Sequence, residues 1–338
     1  MRGLAARAVT AMIALRRRPD PAAEVDAIAA ITERLAVLLA AGVSASTAWS
    51  HVGEPAQTSG DARAVPAAAS LADAAVLAAA ARAASGGDPV ALAIAEARAA
   101  HSAASGAWSV LAAAWSVAAE SGAPLASSLR SLAGSLRDEA QLRREVRVAL
   151  AGPAASARLV TALPLIAIVF GTALGFDTLA VLFGNPLGLA CLALGAGFLW
   201  TGRRWNTALA SRASRGRADA GLELELLAIA MSGGTSIERA RAIARDAMAE
   251  HVPVAGDGRE VEAVLGLAAR AGAPVAELLR AEAFRLRRSA RAAGEARAAT
   301  LGVRLMLPLG LCVLPAFVLL GVAPLMISVI TGTLGGAG

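Results

Sequence analysis

The sequence predicts an all-α membrane protein built from two pseudo-repeated cytoplasmic helical bundles and three transmembrane helices. Three observations carry that expectation. The chain of 338 residues is 57% hydrophobic with a mean hydropathy of +0.59, too apolar for an ordinary soluble domain and suited to spans plus soluble helical parts. Alanine dominates, aromatic residues make up 3% and tyrosine is absent, so few residues favour strands and the apolar bulk belongs in helices. Finally, one pattern occurs twice. Ser121-Gly122-Ala123-Pro124-Leu125 leads to Leu129-Arg130, an Arg-rich helix and an apolar run containing Leu163-Pro164-Leu165. Ala271-Gly272-Ala273-Pro274-Val275 leads to Leu279-Arg280, another Arg-rich helix and a run containing Leu307-Pro308-Leu309.

The elements follow in order. Residues 1–25 form a basic N-terminal segment. Its apolar stretch Ala8 to Leu15 is too short to span and is followed directly by Arg16-Arg17-Arg18 rather than by a cleavage site; a membrane-surface helix and a frayed start both fit. The first cytoplasmic domain occupies residues 26–156. Ile28, Ile31, Leu35, Leu38 and Leu39 have helical spacing, Gly42 stops that helix, and Ser44 or Ser46 caps the next. Val52 to Ala64 reads as a loop. Helices follow at Leu71 to Ala84, Pro89 to Ala100 and Ala104 to Glu120. Gly122 ends the last, and Pro124 opens a long helix past Leu150.

A transmembrane hairpin occupies residues 157–202, with spans near Leu159 to Gly175 and Leu179 to Trp200. The second cytoplasmic domain, residues 203–303, repeats the plan: Leu222 to Met231, a stop at Gly233-Gly234, a helix Ile237 to Ala249 capped by Thr235 or Ser236, a loop over His251 to Gly258, a helix ending at Gly272, and a long helix from Pro274 to Arg304. In this alignment Leu38 to Ser44 corresponds to Ile229 to Thr235. A third span occupies residues 304–330, and an extracytoplasmic tail residues 331–338. The ordered series in both halves is the signature of an internal duplication.

Charge sets the orientation. Net charge is +6 and every Lys/Arg position is arginine. Arg143, Arg144, Arg147 and Arg158 precede the first span, Arg203, Arg204 and Arg212 follow the second, and Arg280, Arg287 and Arg304 precede the third. The turn Phe176-Asp177-Thr178 and the tail after Ile330 have none. Basic flanks belong on the cytoplasmic side, facing an anionic membrane surface rather than nucleic acid. Trp200 and Trp205 fit an interfacial belt. Cys191 and Cys312 lie in apolar runs and behave as small hydrophobes.

These residues resemble a known family. The stretch AAESGAPLASSLRSLAGSLRDEAQLRREVRVALAGPAASARLVTALPLIAIVFG is similar to the type II secretion system F domain, especially the actinobacterial tight-adherence (Tad) pilus variety. So is Phe183-Gly184-Asn185-Pro186-Leu187-Gly188 running into Gly202-Arg203-Arg204-Trp205. The resemblance covers about Ile28 to Ile330, the first copy looking like a TadB half and the second like a TadC half. It implies an inner-membrane platform protein, multi-pass, with its N-terminus in the cytoplasm and its C-terminus outside. Such a protein couples a cytoplasmic secretion or pilus assembly ATPase to the insertion of pilin or pseudopilin subunits into a filament. Its expected partners are that ATPase, those subunits, the lipid bilayer and further copies of itself.

No catalytic constellation is legible, so the expectation is a non-enzyme without cofactor or metal. His51, His101 and His251 have no metal-ligand spacing, and a chain without lysine has no Walker-type phosphate loop. Asp138-Glu139 with Arg143-Arg144 fits helical i to i+4 pairing or a surface read by a partner. Trp49, Trp108 and Trp115 fit core packing better than an interface. Candidate structural or partner-contact residues are Gly42, Gly122, Pro124, Arg137, Arg143, Arg144, Gly233, Gly272, Pro274 and Arg287; candidate membrane-flanking residues are Arg158, Arg203, Arg204, Trp205 and Arg304. A transporter or permease subunit is the alternative, although the first span from Leu163 to Gly175 has only Thr172 as a polar side chain, where transport paths usually carry charge.

Overall fold

A computed structural model describes residues 20–53, 71–173, 183–184, 186–214, 221–252, 258–304, 307, 309–324 and 326–327. Every regular element among them is helical. The chain divides into two compact units, Met1–Arg144 with Arg217–Ala290, and Glu145–Gly216 with Arg291–Gly338.

The first unit begins with α1 (Pro21–Ala40). Asp20 caps it, its carboxylate accepting from Ala22 N at 3.1 Å, and Pro21 presets the first helical φ. The helix therefore starts six residues before the apolar periodicity at Ala27 signals it. Gly42, at φ +85°, reverses the chain, Val43 N donating back to Leu38 O at 3.0 Å. Ser44 then caps α2 (Ala45–Gly53), accepting from Thr47 N at 3.2 Å. After α3 (Leu71–Gly86) and α4 (Val90–Ala100) comes α5 (Ala107–Ser121), which ends on Gly122 in the left-handed region. Pro124 opens α6 (Leu125–Ala173), 49 residues without a break. It continues past Gly152-Pro153 and Pro164, where the carbonyl one turn earlier loses its usual donor.

The second half repeats this local chemistry. After α7 (Pro186–Ser214), α8 (Leu222–Ser232) turns into α9 (Ile237–His251), capped by Ser236 through Arg239 N. α10 (Arg259–Ala271) ends on left-handed Gly272, and α11 (Val275–Arg304) follows Pro274. At both Gly-Ala-Pro turns the alanine N–H reaches back five residues, Ala123 to Ala118 O and Ala273 to Ala268 O, which satisfies an orphan carbonyl of the ending helix.

The register of the α1 and α8 turns corrects the sequence alignment by one residue. The left-handed glycine of the second copy is Gly234, φ +81°, whereas Gly233 is right-handed at φ −80°. Gly42 therefore matches Gly234, and Ser44 matches Ser236. Gly233 is glycine for another reason: a Cβ there would lie 2.9 Å from the Ser121 carbonyl carbon and 3.0 Å from Ala123 N. The second copy's turn sits directly on the first copy's Gly-Ala-Pro turn.

The two helical regions share one core. α5 is buried nearly all round, with Leu111, Ala112, Ala113 and Ala114 fully covered, a pattern that needs partners on every side. It finds α1 and α4 within its own repeat and α8 and α9 from the other. Trp49 and Trp115 meet edge to face with ring centroids 5.4 Å apart; Trp49 and Trp108 are fully buried.

In the second unit, α7 packs against π1 (Leu309–Val313), α12 (Leu314–Phe317) and π2 (Val318–Val322). Gly195 lets them approach, since a Cβ there would meet the Leu320 side chain at 2.8 Å. Pro315 lies in the first turn of α12, between the two π segments; its missing N–H favours such irregular winding. Among the described residues no helix is long and apolar enough to cross a membrane. The expected spans at 159–175, 179–200 and 305–330 fall partly outside the described residues. The segment 1–18, the turn at 176–178 and the tail at 331–338 fall wholly outside, as does the loop expected at 52–64 apart from Val52 and Gly53, which are helical and close α2.

Backbone, not a flexible side chain, blocks a larger residue at position 233. Gly233→Ala is expected to destabilise the chain by about 3 kcal/mol. Gly234→Ala, strained only by its φ, should cost about 1 kcal/mol. Urea unfolding of the purified variants checks both.

Candidate functional site

The corrected register exposes a second duplicated feature. Counting from the glycine and cap of each turn, Glu33 on α1 is equivalent to Glu225 on α8. Counting from the Gly-Ala-Pro turns, Arg137 on α6 is equivalent to Arg287 on α11. The structure pairs each glutamate with the arginine of its own copy. The duplication thus carries an ion pair from the first short helix to the long helix of each repeat.

The two pairs differ in environment. Arg137 grips Glu33 with both terminal nitrogens, Nη1 donating to Oε1 at 2.8 Å and Nη2 to Oε2, but the side chains are 48% and 41% exposed. A pair in that setting contributes about 0–1 kcal/mol. Glu225 has only 5% of its side chain exposed. Ser131 Oγ donates to its Oε1 at 2.9 Å, Ser135 Oγ donates to its Oε2 at 2.9 Å, and Arg287 Nη1 donates to Oε2. Burying a carboxylate costs several kcal/mol unless donors replace its water. Here two hydroxyls from α6 and a guanidinium from α11 do so.

The remaining candidates have local roles of their own. Arg143 Nε donates to Glu139 Oε1 at 2.7 Å and its Nη1 reaches Pro21 O at 3.3 Å. Arg144 faces Asp26 at 3.5 Å and donates to Gln141. Arg137, Arg143 and Arg144 thus line α6 against α1. Gly42, Gly122 and Gly272 hold left-handed turns. The carbonyls of Pro124 and Pro274 accept the first helical bonds of α6 and α11, from Ser128 N and Leu278 N. Arg204 stacks over Trp200, 5.6 Å from the ring centroid. Arg203, Arg204, Trp205 and Arg304 are exposed. Arg158 lies within α6, with its side chain outside the described set. Sequence reasoning missed Glu33, Glu225, Ser131 and Ser135. The signal was the repeated Glu-x-Leu-Ala, nine residues before Gly-x-Ser, hidden by the one-residue misalignment.

Among the described residues of the first unit, two further ionisable groups are buried, Asp73 and His251. Asp73 on α3 accepts from Ser105 N and Trp108 Nε1, both at 2.9 Å, and so ties the start of α5 to α3. Burial, then repulsion from Asp73, pushes the nearby Glu24 carboxyl above its ordinary range. His251, at the end of α9, is buried with no partner at Nδ1 among the described residues. Burial pushes its pKa below the usual histidine value, opposed by Glu250.

Glu225 thereby ties three helices together. Residues 31–173 match the family model for protein F of the type II secretion system. The match begins within α1, ends with the last residue of α6, and covers less than half of the chain. No curated protein and no solved structure matches the chain significantly.

Removing Arg287 leaves a buried charge, whereas removing Arg137 leaves an exposed one. Arg287→Ala is therefore expected to cost about 3–5 kcal/mol and Arg137→Ala no more than about 1 kcal/mol in chemical unfolding. For His251 the unfolded chain binds the proton first, because the folded pKa lies lower. Stability is complete above the ordinary pKa of about 6.5 and falls as pH drops below it. The unfolding temperature should decline more from pH 7 to pH 5.5 in the parent than in His251→Leu.

Proposed function

We propose that this chain is an inner-membrane platform protein of a type II secretion or type IV (Tad-like) pilus assembly machine. It couples a cytoplasmic assembly ATPase to the insertion of pilin or pseudopilin subunits into the filament, and it catalyses no reaction itself. The observation that carries this reading is the family match over residues 31–173. Two equivalent long helices, α6 and α11, that leave one shared core and lead into apolar runs of the sequence add to it.

The physical case rests on how load could pass along the chain. α6 and α11 both start at a Gly-Ala-Pro turn packed in the first unit and run towards the most apolar stretches of the sequence. A helix is stiff along its axis, so displacing the cytoplasmic core displaces the far end. Arginine flanks orient the apolar runs with the core on the cytoplasmic side. A chain without lysine lacks the phosphate-gripping residue of a Walker loop, so nucleotide hydrolysis is assigned to the partner.

Affinity purification of the full chain from its native membrane should recover a secretion-type ATPase. Alkaline phosphatase fused after Gly338 should be active. A preparation free of any such ATPase, together with an inactive fusion, would remove the support for this reading and favour a transporter subunit.

A further inference from the structure

The duplicated ion pair is not duplicated in its surroundings. The hydroxyl donors to Glu225 come from the other repeat, Ser131 and Ser135 of α6. Their equivalents on α11 are Ala281, which carries no donor, and Arg285, which is engaged by Glu282. Glu33 is therefore gripped by one long helix, while Glu225 is gripped by both. At the two ends of α8 the backbone approach is also close. A Cβ at Gly221 would lie 2.8 Å from Ala283 O of α11, and one at Gly233 would meet the turn that starts α6.

We propose that Glu225 is a clamp that fixes α6 and α11 at one spacing, making the two long helices a single moving part. The carboxylate reaches α6 through two hydroxyls and α11 through the guanidinium. Separating the helices means withdrawing a buried negative charge from at least one set of donors. That step is costly in a buried site and discrete rather than gradual. Glu225 is a positioning residue in this role. The inference stands on the contacts alone and does not require the platform reading.

The test measures spacing in the full-length protein, purified in detergent, with Cys191→Ser and Cys312→Ser removing the native thiols. Nitroxide labels on Ser127→Cys and Glu277→Cys, equivalent exposed positions in the first turns of α6 and α11, report the distance by double electron–electron resonance. The parent should give one narrow distribution. Ser131→Ala/Ser135→Ala removes only the α6 side of the clamp and favours helix at both positions; a second, longer-distance population should appear. Glu225→Gln should do the same, and Glu33→Gln should leave the parent distribution. A distribution unchanged in the double serine variant overturns the clamp, even if unfolding temperature falls. Equal broadening in Glu33→Gln also overturns it, because the effect would then be general loosening. If Glu225→Gln fails to accumulate, the double serine variant decides alone.

Discussion

The carboxylate of Glu225, buried among donors from two long helices, is the interaction on which the first unit depends. It converts α8, only eleven residues long, into a wedge with three fixed points. Gly221 abuts the α11 backbone. One turn on, Glu225 takes hydrogen bonds from α6 and α11. At the far end, Gly233 rests on the turn between α5 and α6. Two of these contacts work because no Cβ is present, and the third because both carboxylate oxygens accept from donors of the long helices. A wedge held in this way leaves little freedom to slide, since each contact is either backbone on backbone or charge on donor.

The duplication is therefore chemically faithful and physically asymmetric. Both copies keep the glutamate, the arginine, the left-handed glycine and the serine cap. Yet Ala41 stands where the second copy has Gly233, so the close approach made by the second turn has no counterpart in the first. The first copy carries two additional helices, α3 and α4, and α4 packs against α5. The first ion pair lies in water, where solvent screening leaves it weak. The second is enclosed, where loss of either partner strands a charge. Identical residue pairs thus differ in environment, one exposed and one enclosed.

Much of the local structure is legible in the chain. Gly42, Gly122 and Gly272 stop helices where their spacing from the apolar periodicity indicates, and Pro124 and Pro274 start them. Ser44 and Ser236 cap as short hydroxyl residues do at such positions. The start of α1 is less legible, because Asp20-Pro21 is a cap whose helix opens with alanines that carry no periodic signal. The pair Gly233-Gly234 is ambiguous in principle. Either glycine can adopt φ > 0, and the choice falls to a contact with residues more than a hundred positions away. Glu225 is hidden for the same reason. In Leu222-Glu223-Leu224-Glu225-Leu226-Leu227, both glutamates look like solvent-facing residues of an amphipathic segment.

The sequence by itself determined the helical class, the duplication and the position of nearly every stop and cap, because these depend on backbone preferences acting over a few residues. Tertiary structure alone decided that the two copies share one core, that Gly233 rather than Gly234 is the point of contact, and that one of two equivalent ion pairs is buried. Those outcomes depend on which surfaces meet across the chain, and burial changes the energy of a charge by more than any local propensity. The Ser-Gly-Ala-Pro motif is legible as a turn from its residues. That it is also the seat for the second repeat follows only from the absence of a Cβ at a distant glycine.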